Sequence, residues 1–374
     1  MQNQKTRKEV IKMDSRANNI TSGQLMALIV SIQIGVGSFD LPSDLARGSG
    51  HDGWISILVF GIIITIVTSI IVRLMNIYND KSIYEINKLL YGKYLGNFLN
   101  LLIVIYLWYS TCVYVRAFTN IVHIHLLNST PPFILSSFLL IPTIYLTWYG
   151  LKYVARFSLT IYLTIAFCFL LYFLVFKDLR YTFLMPVGKS GIEGIKASFL
   201  PCIFAFLGYE VISVIYPEIT NKKKVMKYAI GADIITIIFC LLLVLVTTSF
   251  FGEEMLKKSL YPLIKISRAF RAPIIERLDI LFIAMWIPAM SIATRGFFCI
   301  TYYSINKLLN LKKNITYFFA FTIITIWASN IPKNHSQLDP YNDIMTISGI
   351  AFSIFLVICY LFSFIKKKGV KPHV

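Results

Sequence analysis

Charged residues are scarce in this chain of 374 residues. Asp, Glu, Lys and Arg make up only 14% of the sequence, whereas soluble domains carry about 25%. The apolar residues, 57% of the chain, fall in long uncharged blocks. This composition argues against a soluble protein and predicts a chain that crosses a lipid bilayer many times.

Catalytic signatures are missing as well. The sequence contains no phosphate-binding G-x-x-x-x-G-K-[ST] loop, no H-E-x-x-H and no G-x-S-x-G, which are the usual marks of nucleotide, zinc and serine-hydrolase chemistry. The six cysteines form no C-x-x-C pair, and the five histidines are dispersed. We therefore expect no enzyme, no cofactor and no metal site.

Positive charge dominates the few charged positions, with 36 Lys and Arg against 18 Asp and Glu. Such an excess can indicate nucleic-acid binding, but no basic patch here is interleaved with aromatic residues, as single-stranded nucleic acid requires. The basic residues flank the apolar blocks instead, and 22 of the 36 lie on the cytoplasmic side if the N-terminus is cytoplasmic. This distribution predicts that both termini are cytoplasmic and that the flanking basic residues face anionic lipid. We expect no binding of nucleic acid.

Ten apolar blocks approach the roughly 20 residues that a transmembrane helix needs. They run from about 24–42, 53–72, 97–124, 132–149, 157–176, 195–217, 230–251, 280–306, 315–331 and 344–365, and are called spans 1 to 10. We predict an all-α membrane protein with one ten-helix domain over 24–366. A basic segment, 1–23, precedes it and a basic tail, 367–374, follows it. The first block has no cleavage signal before it and is expected to stay as a helix.

The two halves of the domain, about 24–176 and 195–365, are punctuated alike. Each contains five spans, and glycine interrupts the first span of each half. This layout is typical of inverted-repeat transporters with broken helices 1 and 6. The prediction depends on the span count and the glycine positions, because the halves share no evident sequence identity.

The break in span 1 is predicted at Gly35, Val36 and Gly37. Two glycines near the middle of an apolar block weaken the helix, and the freed backbone groups then need protein, water or a polar ligand as partners. The amino end of a half-helix also favours an anionic group such as a carboxylate. Close helix packing through small residues is the alternative explanation.

The break in span 6 is predicted between Pro201 and Glu210. Pro201 removes a backbone donor, Gly208 permits a break, and Glu210 lies within an apolar run at a cost of about 2.5–3.5 kcal/mol. Glu210 is either a binding or gating carboxylate, or a structural hydrogen-bond partner that ties span 6 to its neighbours.

Isolated charges elsewhere in the spans are weaker candidates. Arg295 in span 8 and Arg116 in span 3 could each pair with an acid, and we consider a coupling role for Arg295. Arg116 is expected to reach the interface by snorkelling. Asp40 is expected to be solvated, and Asp233 is expected to lie at the interface.

Several motifs together resemble the endospore germination permeases. The sequence Ile34-Gly35-Val36-Gly37, followed by Leu41-Pro42, is similar to the span-1 signature of that family. Phe206-Leu207-Gly208-Tyr209-Glu210, followed by Tyr216-Pro217, is similar to its span-6 signature. The order and spacing of these motifs extend over nearly the whole chain.

The resemblance implies the B subunit of a nutrient germinant receptor, with the ten-span fold of the amino acid–polyamine–organocation (APC) superfamily. It implies the inner membrane of a spore, a larger A-type subunit and a lipid-anchored C-type subunit as partners. It also implies a small nutrient, an amino acid or nucleoside, bound between spans 1, 3, 6 and 8 to trigger germination. The sequence departs from the family at Asp40, where an apolar residue is expected. The absence of a lysine within span 5 weakens a proton-symport interpretation.

A set of nine residues follows from these patterns. Backbone and side chains of Gly35, Val36, Gly37, Tyr109, Phe204, Phe206 and Gly208 are predicted to bind the ligand, and Glu210 and Arg295 are predicted to couple binding to movement. A side chain added at Gly35 is expected to fill the cavity and abolish the response. The alternatives are an amino-acid transporter that works by alternating access, and a scaffold that binds no ligand.

Overall fold

The structure is a computed structural model that describes residues 18–167, 176–269, 278–309 and 314–367. Among these residues it contains helices and one isolated bridge, between Ile20 and Ile219. The all-α prediction is confirmed. Most of the predicted basic segments 1–23 and 367–374 lie outside the described residues. The α-helices are α1 Ser22–Gln33, α2 Leu41–Ser49, α3 Gly53–Tyr78, α4 Ile83–His125, α5 Pro132–Tyr149, α6 Leu151–Phe157, α7 Gly191–Ala197, α8 Phe199–Phe206, α9 Ile212–Ile215, α10 Val225–Phe251, α11 Glu253–Lys257, α12 Pro262–Ala269, α13 Leu278–Leu309, α14 Ile315–Ser329 and α15 His335–Lys367.

Six stretches of the described chain are long and apolar enough to cross a membrane, and a bent pair of helices in span 6 makes a seventh. The predicted spans 1 and 9 correspond to the shorter apolar helices α1 and α14. Predicted span 5 begins in α6, and its far end lies outside the described residues. The six stretches are Leu41–Tyr78, Ile83–His125, Pro132–Tyr149, Lys222–Phe251, Phe282–Leu309 and Ser336–Phe364.

Local sequence signals fix where α1 and α4 begin. At the start of α1, the Thr21 hydroxyl accepts from the Gln24 N–H at 3.2 Å, and the Gln24 side chain accepts from the Thr21 N–H at 2.9 Å. Ser82 and Glu85 form the same reciprocal box at the start of α4. Such boxes satisfy backbone donors that the first helical turn leaves free.

Helix α1 lies in the centre of the molecule, and nine of its twelve residues are buried. It packs against α10 and α13, while α10 also packs against α3, and α13 against α4. Many large apolar side chains of α3, α14 and α15 are exposed instead, as expected where helices face lipid. The first broken span therefore lies inside a ring of other spans.

A polar clasp joins three connections on the predicted outer side. The His51 ring lies 2.8 Å from a Glu253 carboxylate oxygen through Nδ1 and 2.7 Å from the Pro186 carbonyl through Nε2. Both partners only accept hydrogen bonds, so both ring nitrogens donate and His51 is an imidazolium. Asp52 accepts from the Gly188 and Ser190 N–H groups, each at 2.9 Å.

Glu253 in this clasp remains ionised over a wide pH range. Burial raises the pKa of its carboxyl, but hydrogen bonds from Lys257 and His51 lower the pKa more, to about 2. A group with a lowered folded-state pKa stabilises the fold above its ordinary pKa, and that contribution disappears as the pH falls through the folded value. The stabilisation from Glu253 is therefore present above about pH 4.5 and is lost toward pH 2.

Replacing His51 by alanine is expected to loosen the clasp without unfolding the bundle. The change removes both donors that hold Pro186 and Glu253, so the backbone N–H groups of Gly188 and Ser190 should exchange hydrogen faster. Hydrogen-exchange mass spectrometry of the full-length chain measures this directly. Lys196→Ala is the matched control, because its pair with Glu193 is exposed on both sides and such pairs stabilise little. Equal protection of the 186–190 segment in wild type and His51→Ala would contradict the clasp.

Candidate functional site

Span 1 is broken where the glycines predict it. Helix α1 ends at Gln33, a 3₁₀ turn covers Val36–Ser38, and α2 begins at Leu41. A Cβ at Gly35 would lie 2.6 Å from the Ala293 Cβ of α13. A side chain there would thus collide with α13 instead of filling an open cavity, which corrects the expectation for Gly35. Break and close packing occur at the same glycine.

Gly37 brings the first broken span against the second. Its Cβ would lie 3.0 Å from Cε1 of Phe204 in α8. The Phe204 ring is stacked on Tyr114 of α4, with 6.4 Å between centroids and 11° between planes. Val36 between the two glycines is 4% exposed. Phe204, which was predicted to wall the ligand pocket, therefore lies next to the span-1 break.

Span 6 is broken at Gly208. Helix α8 ends at Phe206, Gly208 has a φ of +124°, and a 3₁₀ turn follows from Tyr209. The two halves of the span are bent by 44°. Glycine alone adopts such a φ without strain, and a Cβ at Gly208 would also overlap Cγ2 of Ile32 in α1. The two breaks therefore touch each other at Ile32 and Gly208.

Glu210 holds the broken span 6 together. Its side chain is fully buried, and one carboxylate oxygen accepts from the Gly208 N–H at 2.7 Å. The other oxygen accepts from the Tyr106 hydroxyl of α4, also at 2.7 Å. Glu210 thus satisfies a backbone donor that the break exposes and ties span 6 to span 3.

Gln33 links both breaks to α10, and sequence reasoning missed it. Its Nε2 donates to the Phe206 carbonyl at 3.0 Å and to Asp233 Oδ1 at 3.3 Å, while its Oε1 accepts from the Thr236 hydroxyl at 2.6 Å. Asp233 is fully buried, so its expected position at the interface was wrong. The available signal was a glutamine two positions before Gly35 in an apolar block.

The two arginines within the spans are both buried. Arg116 is 3% exposed and donates to the Lys333 carbonyl at 2.6 Å, so the snorkelling prediction was wrong. Arg295 is 7% exposed, and its guanidinium carbon lies 4.5 Å from the centre of the Phe157 ring. Among the described residues, its Nε and Nη1 have no hydrogen-bond partner. It forms no ion pair with Glu210.

A cavity with an excess of carboxylates, the acidic cavity, adjoins the breaks. It measures about 410 Å³, and Phe204 and Pro201 of α8 form part of its wall. The carboxylates in the lining outnumber the one arginine, and this excess creates a negative potential that attracts cationic groups. Tyr109 lies elsewhere: it stacks on Tyr341 and lines cavities between α4, α14 and α15. The charged residues of the acidic cavity are Asp40, Asp44, Arg47, Asp339 and Asp343.

An all-α membrane protein with two broken spans in contact at its centre has the fold of the APC-type transporters. The profile described as "Spore germination protein" matches residues 19–338. The chain therefore belongs to the spore germination protein family, a class of germinant receptors and permeases.

The chain is similar to "Spore germination protein B2" of Bacillus subtilis (strain 168), at 26% identity over 95% of this chain and 98% of the relative. It is also similar to "Spore germination protein GerQB" of Bacillus cereus, at 28% identity over 69% of this chain and 72% of the relative. The predicted resemblance to germination permeases is confirmed.

Solved structures support the fold. A manganese transporter of Eremococcus coleocola, in complex with an aromatic bis-isothiourea substituted compound, superposes with a TM-score of 0.63 at 12% identity, over 90% of this chain and 78% of the transporter. MhsT in complex with L-phenylalanine gives a TM-score of 0.60 at 16% identity, over 91% of this chain and 89% of that protein. At such identities the likeness concerns the fold and not the ligand.

Proposed function

We propose that this chain is the nutrient-sensing B subunit of a spore germinant receptor, in the inner spore membrane with both termini cytoplasmic. The observation that carries the proposal is the contact between two broken spans beside the acidic cavity. Broken spans expose backbone groups that suit a polar ligand. Because the chain belongs to the germination family, the process that we expect the ligand to trigger is spore germination.

The ligand class that we propose is an amino acid. Backbone groups of Gly35, Val36, Gly37 and of Phe206 to Gly208 would hold its charged ends, with the carboxylate near a half-helix amino end. Its ammonium group would face the acidic cavity. We assign the side-chain wall to Phe204 and not to Tyr109, since Tyr109 lines other cavities.

Glu210 and Arg295 are proposed to couple occupancy to movement. Glu210 connects the span-6 break to span 3, and Arg295 carries buried donors that are free to gain a partner in a second conformation. A ligand shifts a conformational balance only if it binds the two states with different affinity. A ligand held by both breaks would bind the two states with different affinity if the breaks move apart in the second state. A-type and C-type subunits would then receive the signal.

Thermal unfolding of the purified chain, with a panel of amino acids, nucleosides and sugars, tests the site. A ligand at 100 times its dissociation constant should stabilise the folded chain by about 2.7 kcal/mol. We expect the shift with an amino acid and its loss in Gly37→Ala, whose new methyl group presses on the Phe204 ring. Gly23→Ala is the matched control, because its nearest neighbour would be 3.8 Å away. An equal shift in Gly37→Ala would contradict this placement.

The fold neighbours favour one alternative, transport of an amino acid by alternating access. Counterflow of labelled amino acids in proteoliposomes separates the two functions. A sensor should bind without counterflow, whereas a transporter should exchange its substrate across the membrane. A scaffold without a ligand predicts that no pocket variant changes the nutrient preference.

A further inference from the structure

Asp233 is a buried carboxyl group that the proposed ligand site does not use. It lies in α10, its side chain is fully buried, and α10 packs there against α1 and α3. No lysine, arginine or histidine forms an ion pair with it within the described parts of the chain. An unpaired carboxylate inside a membrane span is unfavourable, whereas a neutral carboxyl with hydrogen bonds is tolerated.

The hydrogen bonds around Asp233 leave room for one proton. Its Oδ1 accepts from Gln33, but its Oδ2 has no hydrogen-bond partner among the described residues. Thr68 of α3, also fully buried, faces the carboxyl, and its hydroxyl is the group that can pair with it. The Thr68 hydroxyl can accept from a neutral Asp233 carboxyl and can donate to an ionised one, so Thr68 provides a partner in either protonation state. The full burial of Asp233, without a cationic partner among the described residues, is what favours the neutral acid.

The same carboxyl shares the Gln33 amide with the span-6 break. The Gln33 Nε2 atom lies 3.0 Å from the Phe206 carbonyl and 3.3 Å from Asp233 Oδ1. A carboxylate is a stronger acceptor than a neutral carboxyl, because hydrogen bonds to ionised groups are shorter and stronger. Loss of the proton would therefore draw the amide toward Asp233 and away from Phe206.

We propose that Asp233 is a proton-binding site whose occupancy controls how firmly Gln33 ties span 1 to the break in span 6. The proton comes from hydronium in water and forms an O–H bond on the Asp233 carboxylate, and no other bond in the protein changes. From span 6, Tyr209 is the titratable group that faces Asp233, and its hydroxyl is paired with Ser353 at 2.7 Å. From α1 and α3, the facing groups are Gln33 and Thr68, which do not titrate. The proton is a second ligand, separate from the nutrient.

Infrared spectroscopy of the full-length chain in nanodiscs tests the protonated state. The wild type should show the carbonyl-stretch band of a neutral carboxyl, and the band should disappear as the pH is raised. Glu210 is also fully buried and can contribute to this band. Asp233→Asn should therefore lose only the component that comes from Asp233, whereas Asp178→Asn, at an exposed aspartate, should keep the whole band. A band that is unchanged in Asp233→Asn would overturn the proposal.

Thermal unfolding across pH tests the link to stability. If the folded chain holds the proton and the unfolded chain releases it, the folded-to-unfolded ratio falls about tenfold per pH unit as the pH rises. This fall should appear in the wild type relative to Asp233→Asn. Parallel curves for the two chains would overturn the proposal. Should Asp233→Asn fail to fold, Thr68→Val replaces it, and its infrared band should then vanish at higher pH than in the wild type, because the ionised carboxylate loses a hydrogen-bond donor. An unchanged titration in Thr68→Val would likewise contradict the proton site.

Thermal unfolding with added sodium or potassium chloride tests the competing explanation, in which Asp233 binds an alkali cation. An alkali cation that raises the unfolding temperature of the wild type but not of Asp233→Asn would show that the carboxylate binds a metal cation instead of a proton. No nutrient is added in these measurements, so their failure would leave the proposed nutrient site untouched.

Discussion

Gly208→Ala is expected to destabilise the chain strongly and to abolish the nutrient response. An alanine at a φ of +124° carries backbone strain of about 1–3 kcal/mol. Its methyl group would also overlap Ile32, and overpacking in a dense core costs about 1–3 kcal/mol. Thermal unfolding in detergent measures the first effect, and germination of spores that carry the variant measures the second.

Gly188→Ala separates these two causes. Gly188 also has a positive φ, +83°, but nothing lies within 4 Å of the place where a Cβ would stand. It should therefore show the backbone strain alone. A second change, Ile32→Ala, should restore part of the unfolding temperature of Gly208→Ala. If Gly188→Ala and Gly208→Ala are equally destabilised, the contact between the two breaks contributes nothing.

Glu210→Ala is the second large effect that we expect. It leaves the Gly208 N–H and the Tyr106 hydroxyl buried without an acceptor, and each unsatisfied donor costs about 1–3 kcal/mol. Tyr106→Phe removes the hydroxyl and should destabilise less, since Glu210 keeps its bond to Gly208. Denaturant or thermal unfolding of both single variants and the double variant measures the coupling between the two side chains.

The double variant decides whether Glu210 and Tyr106 act together. Residues in direct contact are expected to be non-additive, so Tyr106→Phe should cost less in the Glu210→Ala background than in the wild type. Glu193→Ala is the control, because its side chain is 85% exposed. Strict additivity would show that the Tyr106 bond carries no stability of its own.

The sequence predicts the breaks well because glycine has a local effect on the backbone. Gly35, Gly37 and Gly208 are recognisable without knowledge of their neighbours, and Glu210 is conspicuous in an apolar run. The partners are not recognisable in this way. Gln33 and Asp233 are 200 positions apart in the chain, and no periodicity within either helix indicates that they meet.

The arginines and Tyr109 illustrate the same limit. The sequence places Arg116 in the outer half of span 3, but only the connection after α14, which supplies the Lys333 carbonyl, decides that its guanidinium is enclosed. Likewise, Tyr109 and Phe204 are both aromatic and near the centre of their spans. Which cavity each ring faces depends on the rotation of its helix, and a nearly uniform apolar surface gives no signal for that rotation.

The Ile32 side chain packs closely against two glycines, Gly208 and Gly296. A Cβ at Gly296 would lie 3.0 Å from Ile32 Cγ1. Even a small tilt of span 1 would break the contacts of this side chain with both glycines together. Packed contacts of this kind have discrete arrangements and do not deform continuously. The Ile32 contacts therefore favour discrete positions of span 1 over a gradual tilt, and the proposed nutrient response is expected to be switch-like instead of graded.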